Sequence, residues 1–243
     1  MLVLLPPSET KAPGGDGPPL RLDALSHPDL TPVRRKLIDD LVALAGDVPA
    51  GLAALNLSER QRAELDRNSA LWTAPTLPAL CRYTGVFYAA LDPGTLRPAQ
   101  RGRLAVASAL FGLLSAVDPI PAYRLSAASV LPGLGSVRSI WRPVLGPALA
   151  GIAGLVVDLR SGSYVALGPV PGAVTVRVIS ADGRGWRRTV SHHNKSHKGR
   201  LARLLATAPR AVSDTDGVAR IARRGGLQMH RTGEHTLELV VPA

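Results

Sequence analysis

The chain of 243 residues has one cysteine, two methionines and only 4% aromatic residues. A lone Cys81 excludes an internal disulfide and any zinc site built on paired thiolates, and it accords with a reducing compartment. Lysine is scarce: Lys11, Lys36, Lys195 and Lys198 stand against 25 arginines in the Lys+Arg total of 29, a bias that a GC-rich coding sequence produces. The few lysines are therefore more informative than the arginines. Long apolar runs are missing. Leu104 to Val117 and Pro143 to Val157 fall short of the ~18 residues of a spanning helix, and the second contains Pro147 and three glycines. The opening Met1 to Leu5 has no basic flank and meets Pro6-Pro7 before the roughly 7–15 apolar residues of a secretory signal, so a cytoplasmic protein off the membrane is expected. Familiar catalytic signatures are absent too: there is no GxSxG, no Walker loop and no GxGxxG followed by an acid.

What is present is enough hydrophobic sequence, 46%, for one sizeable core, with Gly 24 and Pro 21 too few for a low-complexity chain. The net charge of +11 and a pI near 10.9 point to a polyanionic partner. That charge is unevenly placed. From Arg184 to Arg231 there are twelve basic residues against Asp214 and Asp216, a surplus of +10, which leaves +1 for the rest of the chain. Within it, Ser191-His192-His193-Asn194-Lys195-Ser196-His197-Lys198-Gly199-Arg200 holds every kind of cationic side chain and no carboxylate. At a helix start, such a segment adds free backbone N–H groups and the positive dipole end to its side-chain charge, a site for phosphate. His193 and His197 are four apart, as in a helical metal pair. The HExxH pattern fails, however, because Asn194 occupies the glutamate position, and Lys195 and Lys198 repel a cation. No metal or cofactor is therefore expected.

Hydrophobic patterning predicts one mixed α/β domain over residues 1–243, a central mixed sheet flanked by helices, with the Pro/Gly-rich 12–20 as a mobile loop. Leu2 to Leu5 reads as a buried strand, with Ser8, Glu9, Thr10 and Lys11 at its carboxyl end. Helices are expected over roughly 32–45, 58–68 and from Pro98, and Ala105 to Leu114 reads as a central strand bent at Gly112. Trp141 lies in a helix-like stretch that Pro143 and Pro147 break or bend. Leu155 to Leu159 is a second buried strand, running into Arg160, Ser161, Ser163 and Tyr164. A hairpin turns at Asp182-Gly183, helices follow over 194–207 and from Asp214 to Ala222, and a second hairpin turns around Gly233. If the strands ending near Glu9 and Asp158 are neighbours, their loops face one crevice, the usual ligand position in open α/β sheets. The plain alternative for Asp158 and Arg160 is a structural ion pair. Leu131-Pro132-Gly133-Leu134-Gly135 has the form of the turn in helix-hairpin-helix units and equally that of an ordinary turn.

Several separated motifs together resemble the bacterial YaaA family of peroxide stress proteins: MLVLLPPSETK at the start, YTGVFYAAL at 83–91, ALFGLLSAVDPIPAYRLSA at 109–127, Trp141, DLRSGSY at 158–164 and HHNKSHKGRLARLL at 192–205. The resemblance spans the whole chain. It implies a cytoplasmic protein of one compact α/β fold that binds DNA through a basic cleft and a helix-hairpin-helix-like element, limiting oxidative DNA damage and free iron under peroxide stress. The positions matching its motifs are Tyr83, Gly85, Gly112, Asp118, Pro121, Tyr123, Arg124, Asp158, Ser163, Tyr164, Lys195, Lys198, Gly199 and Arg200. The chain departs at Ser126-Ala127, where many relatives carry an acid and Met, and at Ser8 to Lys11, where many read Ala-Lys-Thr, which indicates an actinobacterial-type branch.

Two readings follow. The first is a non-enzymatic protein that takes the phosphate backbone of duplex or branched DNA on Arg124, Arg160, His193, Lys195, Ser196, Lys198, Arg200 and Arg203, largely independently of sequence, with no membrane and no obligatory protein partner. The second is an enzyme acting on a nucleotide or phosphorylated small molecule with Glu9, Lys11, Asp158, Ser163 and Lys195 around the crevice. A closed pocket with a carboxylate and a lysine in contact favours the enzyme; an open groove of ~12 Å favours duplex DNA. Iron sequestration by His192, His193 and His197 is a third, weaker class, since a basic shell repels the ion.

Overall fold

The computed structural model describes residues 1–181, 187–189 and 194–242. Leu2–Leu5 (β1) is apolar at every position, so it suits a strand covered on both faces, and it lies between two parallel neighbours, Leu104–Ser108 (β2) and Val156–Asp158 (β4). Gly112–Ser115 (β3) turns back antiparallel on β2 and forms one sheet edge. Beyond β4 come Val174–Ala181 (β5) and Thr236–Pro242 (β8), both parallel, and then Gln228–Gly233 (β7), antiparallel at the other edge. Arg187–Thr189 (β6) pairs antiparallel with the end of β5, in register Ile179 to Thr189. The full order is β7-β8-β5-β4-β1-β2-β3, with β6 on β5.

Taken alone, the parallel strands run β2-β1-β4-β5-β8, so the chain direction across the sheet reverses between β1 and β4. In open α/β sheets a ligand crevice opens at such a reversal, beyond the carboxyl ends of the strands. The condition set by the sequence is met: the strands ending near Glu9 and Asp158 are neighbours, in register Leu4 to Asp158.

Helices form where the sequence predicts them at Thr31–Ala45 (α1), Val137–Ala150 (α3), Asn194–Thr207 (α4) and Thr215–Arg224 (α5), and a further short helix, Val86–Leu91 (α2), follows Gly85 where none is expected. α3 continues through Pro143 and Pro147 instead of breaking, and its Trp141 is fully buried, with Nε1 donating to the Ala109 carbonyl at 2.7 Å. A Cβ on Gly112 would stand 2.7 Å from that indole, and Gly112 has φ +74°. α4 packs on α2 at Gly199, where a Cβ would lie 2.2 Å from the Phe87 carbonyl oxygen, so only glycine permits this approach.

Three expectations are corrected. Ala105 to Leu114 is two antiparallel strands at one side of the sheet, because Ser108 Oγ accepts from the Leu110 and Phe111 amides at 3.2 and 2.9 Å and turns the chain ahead of Gly112. Residues 12–20 hold a short strand, Gly17–Pro19, paired with Pro75–Pro78; Gly15 and Gly17 let the backbone lie against Thr76 where a Cβ would clash. Before the Leu131 to Gly135 turn, residues 121–129 form no helix. The turn joins two short strands, Val130–Leu131 and Gly135–Ser136, and only α3 follows, so one of the two helices of a helix-hairpin-helix unit is missing here.

Candidate functional site

At the reversal point, β1 runs through Pro6-Pro7 into a turn in which the Ser8 and Thr10 hydroxyls bond at 3.1 Å. The turn is held against the segment before α2: Lys11 forms a β-bridge with Tyr83, and the Gly85 backbone, at φ +94°, faces both hydroxyls at a distance that leaves little room for a side chain. This wedges Lys11 inward, where the residue is only 7% exposed. Its Nζ donates to the backbone carbonyls of Ser8 at 3.1 Å and Glu9 at 3.4 Å, and lies 4.2 Å from the Tyr123 ring centroid and 5.5 Å from that of Tyr83. Its only acidic neighbour on the loop, Glu9, points elsewhere and pairs with Arg124. Burial lowers the Lys11 amine to about 7, against an opposing pull from the Glu9 charge.

Behind the amine is a buried aromatic network. The Tyr83 and Tyr123 hydroxyls bond at 2.8 Å, Ser108 Oγ bonds Tyr123 at 2.8 Å, and Tyr88 donates to the Pro6 carbonyl at 2.8 Å. Burial pushes the Tyr83 phenol up to about 12 and raises Tyr88, Tyr123 and Tyr164 as well, so all four remain protonated donors. Sequence reasoning named Tyr83 and Tyr123 as motif positions but did not join them to each other or to Ser108, since the three come from unrelated segments.

The second half of the crevice is structural at its base. Asp158 and Arg160 are 5% and 4% exposed and bonded twice, at 2.9 and 2.6 Å, while Arg160 also donates to the Tyr164 and Gly168 carbonyls. The ion-pair alternative is what the geometry shows, and Arg160 presents no charge to a surface. Lys198 reaches in from α4 to the Leu159 carbonyl at 3.3 Å, and burial lowers its amine despite the Asp158 charge. Ser163 is exposed and bonds Ser161 at 3.1 Å; Lys195 is exposed at the start of α4. The five residues of the enzyme reading therefore form no carboxylate–lysine contact of the expected kind.

The other predicted phosphate ligands divide in two. Arg124 is paired with Glu9, and Arg203 caps the end of α2 by donating to Leu91, Asp92 and Thr95. Ser196 is partly buried. Arg200 is exposed and donates to the Gly225 carbonyl at 2.8 Å, which sets it beside the end of α5, where Arg223 and Arg224 occupy the last turn. Lys195, Arg200, Arg210, Arg220, Arg223 and Arg224 are all exposed, and none has an acidic partner among the described residues. His192 and His193 lie outside the described residues, among which no three His, Cys, Asp or Glu side chains cluster as metal ligands.

The family model for peroxide stress protein YaaA matches residues 1–231. The chain belongs to that family. A UPF0246 protein of Corynebacterium efficiens is 51% identical over 99% of this chain and 100% of its own length. Another, from Streptomyces coelicolor, is 46% identical over 85% of this chain and 84% of its own, and a UPF0246 protein of Bacteroides thetaiotaomicron is 30% identical over 55% and 58%. The stronger matches are thus to actinobacterial members, in line with the first-loop departure seen in the sequence. No helix among the described residues is long and apolar enough to cross a membrane.

Two buried arginines of this family member gave no sequence signal. Arg34 donates to the Ser26, Phe111 and Leu113 carbonyls, and Arg82 to those of Ala12, Pro75 and Ile120, each tying three distant segments together. In an arginine-rich chain nothing distinguishes such a residue from a surface cation until its neighbours are known.

Proposed function

We propose that this peroxide stress family member acts on DNA, by holding the phosphate backbone on the exposed basic groups of α4, α5 and the loop between them. The observation that carries the reading is the group Lys195, Arg200, Arg210, Arg220, Arg223 and Arg224: all exposed, all within the segment that holds nearly the whole charge surplus, and without an acidic partner among the described residues. Arg200 and the Arg223-Arg224 turn are brought side by side by the Arg200 bond to Gly225. Guanidinium groups match phosphate bidentately, and a face made of them and a lysine discriminates little between base sequences. Arg160 is not part of this reading, since it is buried in its ion pair. Arg124, Lys198 and Arg203 join it only where a phosphate replaces the carbonyl or carboxylate they now hold.

Duplex and junction DNA binding measured across salt tests the proposal. A face neutralising four phosphates gives a log–log slope of about −3.6 on duplex, at roughly 0.9 per phosphate. Replacing Lys195, Arg200, Arg223 and Arg224 together with alanine flattens that slope. An unchanged affinity and slope would refute the reading.

A further inference from the structure

A pocket of about 540 Å³ opens between the end of the helix Val48–Leu55 and the segment from Arg124 to Val130, and the DNA reading gives it no task. Its two walls differ in kind. One is made of acceptors. The helix closes on Asn56, left-handed at φ +51°, and the Asn56 and Leu57 amides return to Ala53 and Leu52, so the Ala54 and Leu55 carbonyls have no backbone donor. No basic residue stands in that last turn to meet the negative end of the helix dipole. Glu9 adds a half-exposed carboxylate to the lining: Oε2 pairs with Arg124, and Oε1 accepts from no group among the described residues. The other wall is made of donors. Asn68, fully buried, accepts from the Arg124 amide at 2.8 Å and donates to its carbonyl at 2.9 Å, which fixes the main chain there. The Arg124 guanidinium gives Nη1 to Glu9 and keeps Nε and Nη2 unbonded among the described residues. Ser126 Oγ accepts from the Ala128 amide at 3.1 Å and Ser129 Oγ from the Ser126 amide at 3.3 Å, so both hydroxyl hydrogens remain to be donated. Leu55 and Val130 add apolar lining, and Val130 is one of three exposed large hydrophobic side chains among the described residues.

We propose that this pocket binds a free α-amino acid with an aliphatic side chain. The carboxylate is received by Arg124 with the Ser126 and Ser129 hydroxyls, the ammonium by Glu9 and the helix-end carbonyls, and the side chain covers Val130. A zwitterion matches the walls better than a simple anion or cation. An anion must displace Glu9 from Arg124, and a cation drawn to Glu9 is repelled by the guanidinium beside it. A zwitterion leaves the internal pair together and brings each of its members a second partner of opposite charge. Asn68 is the positioning residue for Arg124 and does not itself meet the ligand.

The test is an amide NMR titration of the intact, isotope-labelled protein with L-leucine, with 4-methylpentanoate, which lacks the amine, and with 3-methylbutylamine, which lacks the carboxylate. The expected result is saturable shifts at residues 53–56 and 124–130 with leucine, at an affinity about tenfold or more above that of either half-probe, the contribution of one hydrogen bond to a charged group. Arg124→Gln lowers the leucine affinity by about tenfold. Glu9→Gln also weakens leucine, yet it strengthens 4-methylpentanoate, which no longer competes with an internal carboxylate. Both changes fall on a part-exposed pair, and amide spectra that overlay the parent's away from the pocket verify the fold. Leucine that gives no saturable shifts at these residues, or that binds Arg124→Gln as tightly as the parent, overturns the proposal. 4-Methylpentanoate that binds the parent as tightly as leucine overturns the role given to the ammonium and its acceptor wall.

Discussion

The loop crevice and the C-terminal basic face are both rich in charge, and they use it in opposite ways. At the crevice four cations are bound inward: Arg160 to Asp158, Lys198 to Leu159, Lys11 to two carbonyls and two rings, Arg124 to Glu9. On α4 and α5, Lys195, Arg200, Arg220, Arg223 and Arg224 face solvent. Net charge, concentrated in the C-terminal quarter of the chain, therefore measures availability only for the second region. In the first it measures how much buried polar architecture the strand ends require.

The sharpest way to break the comparison is to remove one partner of the inward set. Asp158→Ala leaves the Arg160 guanidinium buried without its carboxylate, and a broken buried pair costs on the order of 3–5 kcal/mol. Urea unfolding reads this directly. If Asp158→Ala is as stable as the parent chain, the crevice base is not the rigid platform described.

Lys11 gives the next largest effect, and its sign is set by linkage. The folded value near 7 lies below the unfolded one near 10.4, so between those pH values the unfolded chain binds the extra proton, and stability rises with pH through that window. Below pH 7 the folded protein carries the full cost of charging a buried amine. Lys11→Met removes this dependence. The stability difference between parent and variant is expected to shift toward the parent by on the order of a few kcal/mol from pH 7 to pH 10, read by denaturation at fixed ionic strength. A flat difference across that range would mean that the rings and carbonyls stabilise the ammonium as well as water does.

Gly199→Ala probes the joint between the two regions, since α4 carries Lys198 into the crevice and Arg200 onto the basic face. A methyl 2.2 Å from the Phe87 carbonyl forces α4 off α2, an overpacking cost of about 1–3 kcal/mol. Both the Lys198 contact with Leu159 and the Arg203 cap on α2 are expected to loosen, visible as faster amide exchange around residues 86–91. Unchanged exchange would mean that the helix packing absorbs the methyl without moving.

Much of the frame was legible because it depends on periodicity. The uniformly apolar Leu2 to Leu5 could only be a covered strand, and Asn194 to Thr207 showed its buried stripe at Leu201 and Leu205. The Glu9 and Asp158 loops share one side of the sheet only if their strands are neighbours, and β1–β4 pairing meets that condition. What stayed hidden depends on partners far along the chain. The Ser108–Tyr123–Tyr83 network draws on three segments, and Arg34 and Arg82 are buried only because carbonyls from elsewhere surround them. Ala105 to Leu114 misled for a local reason: a turn stabilised by a serine hydroxyl leaves hydrophobicity unbroken, so the hairpin looked like one strand. Arg160 and Lys198 read from sequence as outward cations because charge in a sequence carries no direction, whereas both turn inward in the fold.

The smallest effect is expected at an ion pair that is neither fully buried nor fully exposed. Glu9 and Arg124 are 54% and 19% exposed, so solvent screens the pair, and such pairs contribute about 0–1 kcal/mol. Glu9→Gln should therefore move the unfolding midpoint hardly at all, while it frees the Arg124 guanidinium at the mouth of the pocket that both residues line. Its consequence is expected in anion uptake. Titration with a small carboxylate such as acetate or glyoxylate should show tighter binding in Glu9→Gln than in the parent, because the ligand no longer displaces an internal carboxylate. If binding is equal in the two proteins, Arg124 is held by more than Glu9, and the crevice keeps its cations turned inward without exception.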